Sequence, residues 1–253
     1  MDFKSFLSDM PKITFGYPGG KARMTSWLFN YFPKEGRQYI EPFAGVGNVF
    51  FAAKKTLHFK KWHINDQYNY AFLKSLIEID PETLPDRVSK EDFEKWKSDK
   101  SHAANVIGPR ITFLSKGYEY GYSGDSNNHI GYRGERYKPM IKTAKELITL
   151  PNVTVTGLHW EKLPYTTYNK QDFVYFDPPY YDTKSIYPNI DHEALLKHLK
   201  VAQYKWILSG YDNDLYKKEI KNYWKASKVR NAEMSGMNKN SMQSRTETIW
   251  SNF

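Results

Sequence analysis

Asp177-Pro178-Pro179-Tyr180 is the stretch of this chain best equipped for chemistry. The apolar run Phe173-Val174-Tyr175-Phe176 precedes it and reads as a buried strand that stops at the two prolines. Pro178 holds Asp177 extended, and neither proline has an N–H to donate. The strand therefore delivers a carboxylate, an unpaired carbonyl and an aromatic ring to one rim of a sheet. In open α/β sheets that carboxyl-end rim is where ligands bind. Two acceptors beside a ring can hold a planar base through an exocyclic amine. The plainer alternative is a strand stop followed by a proline turn.

Two glycine-rich turns stand upstream. Phe15-Gly16-Tyr17-Pro18-Gly19-Gly20-Lys21 leads into a helix expected over 22–31, and the N–H groups of such a turn suit an anion or a carboxylate. It is not a P-loop: the glycine spacing is one residue short, and Ala22 stands where Ser or Thr would ligate magnesium. Tyr39-Ile40-Glu41-Pro42-Phe43 reads as a short strand, and Ala44-Gly45-Val46-Gly47-Asn48 as a tight turn into a buried helix over 49–53. This unit resembles the dinucleotide fingerprint without its third glycine. Asp66 closes the strand His63-Ile64-Asn65-Asp66, 19 residues after Gly47, a spacing at which a carboxylate reaches a ribose hydroxyl. No phosphate-binding device accompanies it. The pattern points to a nucleoside cofactor without a pyrophosphate.

The elements that position these residues alternate between strands and helices, which predicts an α/β fold with a mainly parallel sheet and helices on both faces. A helical pattern over 67–80 is closed by Pro81 and Pro85, and the periodicity then changes up to residue 150. Residues 81–150 read as an inserted module between the catalytic segments 1–80 and 151–253. Within it, helices are expected over 91–97 and 102–116. They are followed by a loop over 117–137 where Tyr118, Tyr120, Tyr122, Tyr132 and Tyr137 alternate with Gly, Asn, Arg133 and Arg136. Interleaved aromatics and cations suit bases and phosphates; locally packed tyrosines are the alternative. A helix over 140–150 and a strand over 152–157 lead to His159-Trp160. Tyr181, Lys184 and Tyr187 belong to a loop placed to cover the site, and Asp191 can cap the helix over 193–201. A strand over 206–209, a short helix over 215–220 and a pair of strands over 223–229 and 247–250 complete the pattern.

Composition narrows the class. The 253 residues carry a formal net charge of +9, which favours a polyanionic partner, nucleic acid first. Aromatics reach 17%, which argues against disorder, and the absence of cysteine excludes disulfides, a thiol nucleophile and a Cys-type zinc site. The first eleven residues lack a signal-peptide pattern, and no apolar run approaches membrane-spanning length. A cytoplasmic protein, of a bacterial or phage-infected cell, is the expectation.

The order of the motifs is more specific than any one of them. The Gly-Gly-Lys turn, Glu41-Pro42-Phe43-Ala44-Gly45-Val46-Gly47, Asn65-Asp66, a variable insert, Asp177-Pro178-Pro179-Tyr180 and the closing Arg245-Thr246-Glu247-Thr248-Ile249-Trp250 follow in sequence. Together they resemble the Dam-type, alpha-group DNA adenine N6-methyltransferases, which use S-adenosylmethionine. The resemblance implies a Rossmann-like methyltransferase fold with a seven-stranded sheet and an antiparallel last strand. It implies a cofactor pocket drawn from Tyr17, Gly19, Gly20, Lys21, Glu41, Pro42, Phe43, Ala44, Gly45, Gly47, Asn48, Asp66, His159, Trp160 and Asp177. His159-Trp160 stands where the family usually places an acid–aromatic pair that meets the cofactor's adenine. The insert would read the target, with Arg110, Lys116, Tyr118, Tyr122, Arg133, Arg136, Tyr181 and Lys184 on the nucleic acid.

The chemistry this implies is methyl transfer to the exocyclic amine of a flipped-out adenine in double-stranded DNA. Asp177 and the Pro178 carbonyl accept from the amine, Pro179 shapes the turn and Tyr180 stacks on the base. No metal is required, and the resemblance implies a monomer, with a dimer as the alternative. RNA adenine methylation, cytosine N4-methylation, a catalytically inactive DNA-binding relative and a dinucleotide oxidoreductase are the rival readings.

Overall fold

The computed structural model describes residues 12–16, 19–99, 101–111, 134–181, 188–231 and 244–253. Its centre is a seven-stranded sheet. The strands are β1 (Glu35–Glu41), β2 (His58–Asn65), β3 (Val153–Thr156), β4 (Asp172–Phe176), β5 (Lys205–Tyr211), β6 (Trp224–Asn231) and β7 (Ser244–Ser251). Their spatial order is β3-β2-β1-β4-β5-β7-β6. β1 to β5 pair in parallel, whereas β7 runs antiparallel to β5 and to β6. The chain moves outward from β1 through β2 to β3, then returns to lay β4 against the other side of β1. That reversal is a topological switch point, and the crevice it opens lies at the carboxyl ends of β1 and β4. This is the Rossmann-like methyltransferase fold.

Alternation along the strands divides the core between the two faces of the sheet. Phe173, Tyr175, Ile207 and Ile249 face one cluster, and Val174, Phe176, Trp206, Leu208 and Trp250 the other. The first face is covered by α1 (Thr25–Leu28), α2 (Asn48–Thr56), α3 (Tyr70–Glu78) and α6 (Gly134–Ile148). α4 (Lys90–Trp96) and α5 (His102–Ile111) add Phe93, Val106 and Ile107 to the same cluster. The second face is covered by α7 (His192–Val201) and α8 (Asp214–Glu219). Ser89 caps α4 in a reciprocal box with Asp92, and Asp191 caps α7 as the sequence suggests.

Several boundaries differ from the sequence pattern. β1 begins at Glu35 and stops at Glu41, because Pro42 cannot continue the ladder and Ala44 N–H turns to the Asn65 carbonyl at 2.9 Å. The helix expected over 22–31 is regular only at Thr25–Leu28, with turn bonds from Met24 to Phe32 at its ends. α6 begins at Gly134, so Tyr137 lies on a helix, and its buried ring packs on Phe15 at 6.1 Å.

Candidate active site

The switch-point rim is built from five strand ends. At the end of β1, Glu41 is 1% exposed and accepts a 2.6 Å hydrogen bond from the Tyr39 hydroxyl. Burial pushes the Glu41 carboxyl up to about 8, and the neighbouring charges of Asp177 and Asp66 push in the same direction. After β1 the chain makes its tight turn with Gly45 at φ 56° and Gly47 at φ 80°. Both are left-handed conformations that glycine adopts without penalty. A Cβ at Gly47 would also meet the Phe51 ring at 2.9 Å.

The end of β2 holds this turn in place. Asp66 Oδ2 accepts from Gly45 N–H at 2.7 Å. Its Oδ1 accepts from Tyr68 N–H, Asn69 N–H and the Asn69 amide at 3.0, 2.7 and 2.9 Å, fixing the start of α3. Burial raises the Asp66 carboxyl from its ordinary value, opposed by these hydrogen bonds. Asn65, fully buried, ties three strand ends together. Its amide donates to the Pro42 and Leu158 carbonyls, both at 2.9 Å, and its oxygen accepts from Leu158 N–H at 2.8 Å and from Thr156 Oγ1 at 2.7 Å. Because the Thr156 hydroxyl donates to Asn65, it accepts from His63 Nε2 at 2.8 Å, which assigns the proton of His63 to Nε2.

At the end of β4, Asp177 is 17% exposed and pairs with the buried Lys21 ammonium at 2.9 Å. Lys21 also donates to the Gly19 carbonyl at 3.1 Å, lies 3.7 Å from Glu247 Oε1 and sits 4.6 Å over the Tyr180 ring. The Tyr180 hydroxyl donates to Glu247, and its ring meets Tyr211, at the end of β5, edge to face at 4.5 Å. Burial, with Asp177 and Glu247 alongside, raises the Tyr180 phenol well above its ordinary range. Pro178 is buried and Pro179 partly so.

The structure thus brings Gly19, Lys21, Glu41, Pro42, Phe43, Gly45, Asp66, Asp177, Pro178 and Tyr180 to one rim. Gly20 precedes Lys21 in the same turn, and Ala44 is held there through its backbone. Asn48 stands apart. Its amide clamps the Phe15 backbone through two 2.9 Å bonds and borders a cleft of about 620 Å³ between α1 and α2. Trp160 is 4% exposed, its ring buried among Phe43, Tyr165 and His198. His159 is exposed and pairs with Glu161 at 3.3 Å. Tyr181 is exposed against the His192 ring, and Arg136 is exposed on the first turn of α6. Tyr17, Lys116, Tyr118, Tyr122, Arg133 and Lys184, and the side chain of Arg110, lie outside the described residues. Glu247 and Asn65 have no assigned role in the sequence reading. The strand-end position of Asn65 is the one signal that could have found it, whereas Glu247 lies within the closing Arg245–Trp250 motif with nothing there to mark its role.

The family model of the D12-class N6 adenine-specific DNA methyltransferases matches residues 17–104, which include the Gly-Gly-Lys turn, the Gly45–Gly47 turn and Asp66. That match covers about a third of the chain. The modification methylase StsI of Streptococcus sanguinis is 22% identical over 195 residues, covering 70% of this chain and 30% of that protein. The type II methyltransferase M.MjaIII of Methanocaldococcus jannaschii is 27% identical over 217 residues, covering 71% of this chain and 70% of that one. The chain therefore spans less than a third of the first relative's length. A solved structure from Thermoplasma acidophilum covers 99% of this chain and 97% of its own at 12% identity and a TM-score of 0.45. The matched segment contains β1, β2 and the turns between them. The Asp177 half of the rim lies beyond it, brought alongside by the fold.

Proposed function

We propose that this protein is a DNA adenine N6-methyltransferase of the Dam type, moving a methyl group from S-adenosylmethionine to a flipped-out adenine. The observation that carries the reading is the position of Asp177 and Pro178 at the carboxyl end of β4, beside β1 at the switch point. The rim also suits a cationic nucleoside cofactor. Glu41, Asp66 and Asp177 are close enough that the last two act electrostatically on the first. With Glu41 protonated, the charges of Asp66 and Asp177 favour a sulfonium and an ammonium. Asp66 Oδ2 takes one described hydrogen bond, so it retains lone-pair capacity for a ribose hydroxyl. Phe43, partly exposed beside Trp160, would form an apolar wall for the adenine ring.

Bound S-adenosylmethionine would supply a methyl group on an electron-poor sulfur. The protein's part is to present the acceptor. The adenine amine is a weak nucleophile because its lone pair is delocalised into the ring. Asp177 and the Pro178 carbonyl would accept its two N–H bonds and draw the nitrogen toward tetrahedral geometry. As the nitrogen gains positive charge, the Asp177 carboxylate stabilises it more than it stabilised the neutral amine. Lys21 occupies Asp177 Oδ1, which leaves Oδ2 for the substrate. The Tyr180 ring, close to this carboxylate in the sequence, would stack on the base. The module over 81–150 would read the target sequence, and a cytoplasmic setting in a restriction–modification system fits the relatives.

The test is transfer of labelled methyl from S-adenosylmethionine to unmethylated genomic DNA, followed by nucleoside analysis. N6-methyladenine is expected, with Asp177→Ala lowering the rate by at least a thousandfold while the protein stays folded and DNA binding persists. Methylation of RNA alone, or normal turnover by the variant, would overturn the reading.

A further inference from the structure

We propose that Glu247 is a positioning residue for the methyl transfer, acting on Asp177 through a shared Lys21 ammonium. The inference rests on the function proposed above. Glu247 belongs to β7 and pairs in register with Tyr211 at the end of β5. Because β7 is antiparallel, an early residue of the last strand reaches the rim formed by the late residues of β1, β4 and β5. The side chain is fully buried. A buried carboxylate persists only with compensating partners, and here these include Lys21 and the Tyr180 hydroxyl.

Lys21 is therefore divided. It lies 2.9 Å from Asp177 and 3.7 Å from Glu247, with each side chain of this trio at least four-fifths covered. In so poorly solvated a place, the charge of Glu247 decides how much of the ammonium's field falls on Asp177. With Glu247 ionised, Lys21 is neutralised from two sides and Asp177 keeps its strength as an acceptor for the amine. Without that charge, more of the ammonium's field bears on Asp177, which then accepts more weakly. Glu247 also receives the Tyr180 hydroxyl, so one carboxylate both sets the electrostatics of the acceptor and fixes the ring beside it.

The test compares Glu247→Gln, Tyr180→Phe and Lys21→Met in the full chain, with wild type and Asp177→Ala as controls. Gln retains an oxygen for the Tyr180 hydroxyl and removes only the charge. A fall in kcat of about ten- to hundredfold is expected for Glu247→Gln, with KM for DNA and cofactor within about threefold. In a Lys21→Met background the same substitution should cost less than about twofold more, because its route to Asp177 is gone. Additive losses, or an unchanged kcat, would refute the shared ammonium. Should Gln compromise folding, Glu247→Asp keeps the charge and should retain more activity than Gln; the reverse order would also refute it. If wild type transfers no methyl, the function falls first. The melting-temperature losses of Lys21→Met and Glu247→Gln then decide the pair alone: non-additive supports it, additive overturns it.

Discussion

At the scale of single residues, the rim holds ionisable groups that folding has stripped of water. Glu41 is the clearest case. Its carboxyl is pushed from an ordinary 4.5 up to about 8, mainly by burial. A carboxyl raised in the folded state keeps its proton where the unfolded chain has lost it. The associated stability is complete below pH 4.5 and is lost as pH rises through about 8. Glu41→Gln imitates the protonated form and can still accept from Tyr39. Chemical denaturation should find variant and wild type equally stable near pH 4.5, with the variant gaining a few kcal/mol by pH 8. Each tenfold change in the proton equilibrium is worth about 1.4 kcal/mol. A constant difference across that range would mean that Glu41 is ionised in the fold.

At the scale of elements, the strand ends are locked by side chains whose partners are other strand ends. Asn65 joins β1, β2 and the segment after β3. Asn65→Ala would leave the Pro42 and Leu158 backbone groups buried without it, and should cost about 3 kcal/mol in urea denaturation. Cofactor affinity should fall with it, since the Gly45 turn hangs from the same rim. Gly47→Ala combines a left-handed backbone with a clash against Phe51, and a loss of about 2 kcal/mol is expected. Either variant melting like wild type would show that the turn adjusts at little cost.

At the scale of the whole molecule, the net charge of +9 and the proposed substrate belong together. Binding of duplex DNA, followed by fluorescence anisotropy, should weaken at least a hundredfold between 50 and 200 mM salt, as phosphate contacts release counterions. Arg136→Ala, on the exposed side of α6, should reduce the logarithmic salt slope by about one without changing methylation chemistry. A slope near zero would argue that the charge serves something other than nucleic acid. Among the described residues, no helix is long and apolar enough to cross a membrane.

The sequence by itself determined the fold class, the Asp177 strand end, the two glycine turns and the Asp66 position. These are local: a proline stops a ladder, a glycine tolerates a left-handed turn, and apolar alternation marks a buried strand, whatever lies elsewhere. Element bounds were less legible, because β1 ends where a tertiary bond takes over from propensity and α1 passes at both ends into local turn bonds. Only the tertiary structure decided that Lys21, Asp177 and Glu247, separated by 156 and 70 residues, share one buried ion cluster. It also decided that Asn65 and Asn48 spend their amides on the backbone and that Trp160 is buried. Strand order and the direction of β7 set those neighbours. Neither is encoded near any one of the residues they bring together.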